Sequence, residues 1–447
     1  MDTTQLPGKN NFFQKYGYAV KAVLIGVLVL MLLIPTVMIM AIINERESRH
    51  NEAAAEISDR WAKEQTITGP VLIIPYIIKP VSVADSTVRQ ENRLSYAYFL
   101  PETLDINGNI LPEIRKRGIY QVPVYNSNIR LSGSFKPLSS ADQTIPTEVL
   151  ITKDAYLVIG VSDMRGIGNQ VQLQWNGQPL AFNPGTAGGN LFTNGIQAKV
   201  PVTVTDSGNV HFSVNIALKG SGQISFSPVG KTTRLQMASS WNSPSFAGAF
   251  LPEKHQIDDK GFNASWLVTN MNRSFPQSWQ LNDKYDIHSA DFGVKLYMSV
   301  DGYQKSMRAV KYAILIIGLT FLVFYFIELL QHQSVHPLQY ILIGLALCIF
   351  YTLLIALAEQ LGFNIAYLIA ASLTIGLVTL YTASVFTNKW TSFGIGGAML
   401  TLYGFIFIII RSEDQALLMG SLGLFIILAI VMFFSRKIKW DTLGARI

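Results

Sequence analysis

Two constellations in this 447-residue chain hold side chains with chemical potential. In VSDMRGIG at 161–168, Asp163 and Arg165 bracket a turn that runs into Gly166 and Gly168. An acid and a base two residues apart, followed by glycines, make one of two things. The first is a polar binding loop with a nest of backbone amides for an anion. The second is an ion-paired turn after a buried strand, with the glycines supplying backbone freedom. The second is the simpler use. A phosphate loop is excluded because no Gly-Lys-Ser/Thr follows.

The other constellation consists of charges beside apolar runs. A charge at mid-bilayer costs roughly 2.5–3.5 kcal/mol, so each one needs a reason. Glu328 and His332 are four apart on one helical face, with His336 across the turn that follows. They read as a proton relay or, more simply, as interfacial residues that cap a hairpin. Lys311, with Arg308 nearby, opens one apolar run, and Glu359 closes the next. The short turn QHQSVHP joins those runs, so they must lie antiparallel. Lys311 and Glu359 therefore share a depth, and an ion pair between them is expected.

Other chemistry is poorly represented. His50, His211, His255 and His288 show no metal-ligand spacing, and His255 with Asp258 and Asp259 reads as a solvated loop. No GxSxG occurs, and no SxxK is accompanied by the other penicillin-recognition motifs. The one cysteine, Cys348, lies in an apolar helix, where a thiol is inert. No catalytic residue, metal ligand or cofactor is assigned. The aromatic residues around Trp241, Phe246, Phe250 and Trp266 read first as core.

The elements that position these groups follow from composition. Apolar residues make up 49% of the chain and charged ones only 14%, which sets it apart from an ordinary soluble domain. Residues 22–43 carry no charge and are long enough to cross a bilayer, so they read as an uncleaved anchor. Beyond it, Ala53, Ile57 and Trp61 share one helical face that docks on a folded domain. From about Thr68 to Asp301 the pattern is that of short strands, with a hairpin signal at Asn176-Gly177. Five further spans are expected near 309–330, 338–358, 365–385, 392–410 and 416–434. Lys9, Lys15 and Lys21 precede the first span, and Arg436, Lys437, Lys439 and Arg446 follow the last. The positive-inside rule then places both termini in the cytoplasm. No basic run suits nucleic acid.

The order of motifs resembles the CreD family of bacterial inner-membrane proteins. GPVLIIPY at 69–76, YFLPETLDINGN at 98–109, RKRGIYQVPVY at 115–125 and VSDMRGIG at 161–168 carry the resemblance. SFAGAFLPEK at 245–254, GFNASW at 261–266 and KYAILIIGLTFLVFYFIE with VHPLQYILIGLAL continue it. The resemblance implies an envelope-integrity role, with colicin tolerance and a β-lactam response, and supplies no catalytic residues.

The expectation is an α + β membrane protein. It has a cytoplasmic N-terminus at 1–21, an anchor at 22–43 and a periplasmic all-β, sandwich-like domain at 44–306. A five-helix group at 307–435 completes a six-helix bundle, and a cytoplasmic tail follows at 436–447. Expected partners are membrane lipids and an envelope protein or glycan. A transporter, or a membrane-bound enzyme acting on a lipid or glycan at the outer face, is the alternative.

Overall fold

The uncharged run after Lys21 continues into the charged NERESRH segment without a helix breaker other than Pro35. The two form one helix, α1, Gly17–Trp61. The computed structural model describes residues 17–78, 93–138, 149–168, 171–188, 191–203, 208–281, 283–296, 301–331, 335–386, 388–412 and 415–436. Lys9, Lys15, His332, Lys437, Lys439 and Arg446 lie outside them. The chain divides into two compact units, residues 51–298 and residues 1–50 with 299–447.

In the first unit, alternating segments such as Val210–Ser221 and continuous apolar runs such as Tyr156–Val161 contribute to seventeen described strands. They are β1 Gln65–Ile78, β2 Arg93–Phe99, β3 Thr103–Arg117, β4 Tyr120–Phe135, β5 Tyr156–Val161, β6 Gln172–Trp175, β7 Gln178–Ala181, β8 Asn183–Pro184 and β9 Gly195–Lys199. There follow β10 Val210–Ser221, β11 Gln223–Ser227, β12 Thr232–Ser239, β13 Pro244–Gly248, β14 Lys254–Asp258, β15 Gly261–Thr269, β16 Ser278–Gln280 and β17 Phe292–Leu296. One sheet runs β13-β17-β11-β1-β5-β9-β8, with β2 pairing β1 and β16. The other runs β14-β15-β12-β3-β4-β10-β6-β7. Their apolar faces meet in one core, in which Ile73, Val158, Ile224 and Phe292 of the first sheet join Ile106, Leu131, Val214 and Trp266 of the second.

The unit is not purely β. It includes the end of α1, where Ala53 is buried and the Trp61 ring lies under the Arg115 guanidinium at 4.6 Å and the Lys219 ammonium at 5.0 Å. Short 3-10 turns occur at Thr152–Asp154, Met164–Gly166, Asn270–Asn272 and His288–Ala290. The expected hairpin is present: Asn176 and Gly177 both take positive φ, 51° and 83°, between β6 and β7. That geometry matches the twist of the paired strands.

The second unit holds α1 to residue 50 and six more described helices. They are α2 Asp301–Lys311, α3 Ala313–Gln331, α4 Pro337–Leu361, α5 Phe363–Val385, α6 Lys389–Arg411 and α7 Ala416–Ser435. Large apolar side chains point outward, with Leu380 75% exposed, as expected of a surface whose solvent is lipid. Tyr340, Phe350, Tyr351 and Tyr403 fill the interior.

Two expectations change here. Among the described residues, five helices are long and apolar enough to span a membrane, not six. The expected span 309–330 is divided at Tyr312 into the amphipathic α2 and the apolar α3. Of the glycines in α6 and α7, Gly396 abuts Thr379 and Gly423 abuts Phe405, whereas Gly394, Gly397 and Gly420 face open space.

Candidate functional site

The helical unit buries one carboxylate and half-buries a second, and each is met by a tyrosine hydroxyl and a cation from α1. Glu328, near the end of α3, is 3% exposed. Its Oε1 accepts a hydrogen bond from Lys21 Nζ, and its Oε2 accepts one from the Tyr340 hydroxyl at 3.1 Å. Lys21 Nζ also donates to the Val335 carbonyl at 2.7 Å. Phe321 and Phe324 pack edge-on against the Tyr340 ring and close the apolar side. One ammonium thus ties α1 both to α3 and to the turn before α4.

Glu359, near the end of α4, has the second arrangement. Its Oε1 accepts from the Tyr303 hydroxyl of α2 at 3.0 Å, and its Oε2 lies 3.8 Å from an Arg46 guanidinium nitrogen. Lys21 and Arg46 are 25 residues apart, about 37 Å along a helix. That distance exceeds the hydrocarbon core and falls within the full bilayer. The two clusters therefore sit near opposite interfaces of one span. An unpaired charge left in apolar surroundings is destabilising, and pairing is what makes these carboxylates tolerable.

The expected pairs are corrected accordingly. Lys311 is exposed, and Glu359 is held by Tyr303 and Arg46 instead, because α2 turns Tyr303 inward and Lys311 outward. His336 does not meet Glu328. Its Nδ1 accepts from the Leu338 amide at 3.2 Å, and Gln339 Oε1 accepts from its own amide at 2.9 Å, a capping box that starts α4. His332 lies outside the described residues. Lys21, Arg46, Tyr303 and Tyr340 were missed. The signal for two of them was present, since Lys21 is the last cation before the uncharged run and Arg46 the first after it.

Asp163 and Arg165 form a clasp. Asp163 Oδ2 accepts from Arg165 at 2.7 Å and from the Lys63 amide at 3.0 Å, and its Oδ1 accepts from the Arg165 amide at 3.1 Å. Arg165 also donates to the Asp59 carbonyl. The Arg165 hydrogen bond, with the backbone amides, holds the Asp163 carboxyl at a pKa of about 2 against the pull of its partial burial. Both charges are thus engaged in joining the end of α1 to β5. The glycines serve close approach: a Cβ on Gly166 would lie 2.3 Å from the Lys219 carbonyl, and one on Gly168 would lie 3.0 Å from Ala217.

An apolar groove of about 550 Å³ opens between α3, α6 and α7, lined by residues such as Phe326, Met399, Phe405 and Ile427. Among the described residues, no three His, Cys, Asp or Glu side chains gather as metal ligands.

Comparison with known proteins places these features in a family. The profile described as "Inner membrane protein CreD" matches residues 17–441. The Inner membrane protein CreD of Escherichia coli (strain K12) is 35% identical over 420 residues, which cover 92% of this chain and 91% of that protein. Among solved structures, an M1 zinc metallopeptidase from Deinococcus radiodurans aligns over 44% of this chain and 42% of its own, at 11% identity and a TM-score of 0.21. A two-domain M1 zinc metallopeptidase aligns over the same shares at 10% identity and a TM-score of 0.22. Likenesses that low carry no argument.

Proposed function

The chain belongs to the CreD family of inner membrane proteins, and from that premise we propose that it is a multi-pass protein supporting cell-envelope integrity through its β unit, without catalysis. In this reading residues 44–306 face the periplasm and both termini face the cytoplasm. The β unit meets an envelope protein or glycan, and its action appears as altered tolerance of β-lactams and colicins.

The observation that carries the reading is the use made of the ionisable groups. Glu328 is hydrogen-bonded to Lys21, Glu359 lies within ion-pair reach of Arg46, and Asp163 holds Arg165, which donates to the Asp59 carbonyl, so each carboxylate takes part in a contact that joins α1 to another element. Such pairs fix a scaffold and occupy these three carboxylates in holding it together. The test is deletion of the gene in its own organism, followed by complementation. Deletion changes growth in β-lactams or colicins, and the intact chain restores it. Unchanged tolerance in the deletion strain contradicts the reading.

One observation favours a transporter or membrane-bound lipid enzyme: the apolar groove between α3, α6 and α7, which suits an acyl chain. Filling it with Ala398→Trp abolishes complementation under that reading and leaves it intact under the first.

A further inference from the structure

The eight-stranded sheet carries amides where a strand ordinarily disfavours them. Asparagine is depleted in strands, because its side chain competes for backbone hydrogen bonds. Yet the outer face has two adjoining amide-rich rows. One runs Gln256–Asn263–Ala238–Asn109–Asn128 across β14, β15, β12, β3 and β4. Its neighbour, two residues along each strand, runs Lys254–Ser265–Gln236–Asn107–Arg130. The six amides are exposed. None of their side chains bonds another side chain or a backbone group among the described residues. They line a groove of about 590 Å³ with Ala238, the smallest side chain of its row, at the centre.

The ligand class follows from what these groups can read. The backbone of the central strands is committed to ladders on both sides, so recognition must come from side chains rather than from strand addition at an edge. Each amide offers two donors and a two-lone-pair acceptor, which suits hydroxyl and N-acetyl groups. No carboxylate lines the groove, and Lys254 and Arg130 stand at the two ends of one row. An anionic substituent is therefore favoured. A protein partner would call for an aromatic or Met-rich centre, and a single-stranded nucleic acid for stacking rings and a basic track. The groove has only Met237, buried beneath its floor, and the single ring of His255 at one side. Five strands span about 19 Å at the usual spacing, the length of a short oligosaccharide.

We infer that this groove binds a glycan of N-acetylated sugars bearing carboxylates. The inference rests on the reading that the β unit faces the envelope, and it names the chemistry met there.

The test uses the full chain in lipid nanodiscs. Two probes are titrated by calorimetry: an N-acetylglucosamine oligomer and an oligomer of the same backbone carrying lactyl carboxylates. Both bind the native chain, the second more tightly. Asn109→Ala with Asn263→Ala weakens binding at least ten-fold, and Ala238→Phe abolishes it. Thermal unfolding of both variants stays that of the native chain. No binding by the native chain, binding that the variants leave unchanged, or preference for an acidic peptide overturns the inference. If the deletion strain shows an envelope defect that Ala238→Phe complements fully, the ligand assignment falls and the envelope reading stands. If the deletion strain shows no defect, the envelope reading falls regardless of glycan affinity.

Discussion

Glu328 and Lys21 illustrate how unequal the two halves of a buried pair are. Removing Lys21 strands a carboxylate that is 3% exposed, whereas removing Glu328 leaves a lysine whose stem can carry its charge to the interface. Lys21→Met should therefore destabilise the bundle by roughly 3 kcal/mol, near the usual loss for a broken buried pair, and Glu328→Gln by about 1 kcal/mol. Unfolding of the purified protein in nanodiscs measures both. Equal effects would mean that the pair is solvated.

Asp163 makes a prediction in pH. Its carboxyl is held at about 2, below its ordinary value near 3.8, chiefly by Arg165. A depressed acid stabilises the fold above its unfolded pKa and loses that contribution as pH falls through the folded value. Stability of the β unit should thus decline between about pH 4 and pH 2, by roughly 1–2 kcal/mol after allowance for the exposed guanidinium. Asp163→Asn should remove that part of the decline, as read from tryptophan fluorescence at each pH. A decline of the same size in the variant would assign it to other carboxylates.

At the scale of elements, α1 is the part most dependent on distant partners. It is tied at one end to α3 and the turn before α4, and at the other to α4, and its last residues lie under Arg115 and Lys219. Arg46→Ala and Tyr303→Phe should each lower stability by about 1 kcal/mol, whereas Lys311→Ala should leave it within about 0.5 kcal/mol. Matching losses at Lys311 would restore the pair expected from the antiparallel hairpin. The turn after β5 behaves differently, because it is limited by space. Gly166→Ala drives a Cβ against the Lys219 carbonyl of β10 and should cost about 1–3 kcal/mol. A neutral effect in a denaturant titration would refute the close approach.

These cases also show what was legible in sequence. Helical spans could be read because lipid demands a local property, an uncharged run of sufficient length. The strands β1 and β5 were equally plain, as short continuous runs rich in Val, Ile, Leu and Tyr. The 15-residue β3 was not read as a strand, since Asn107, Gly108, Asn109 and Pro112 all argue against one. It is held by pairing with β12 and β4 on both sides, a tertiary effect that overrides propensity. Its disfavoured residues are the ones that line the amide groove. Lys21 with Glu328 was illegible for another reason: the partners are 307 residues apart, and hairpin geometry offered Glu328 nearer candidates.

For the whole molecule, the proposed function requires that the β unit face the periplasm. Everything proposed of the β unit depends on that side. The direct measurement is a pair of alkaline phosphatase fusions in the native membrane, one after Lys305 and one after Arg446, since that enzyme is active only when exported. The account predicts activity for the fusion after Lys305 and none after Arg446. Activity after Arg446 together with silence after Lys305 would put the β unit in the cytoplasm and contradict it.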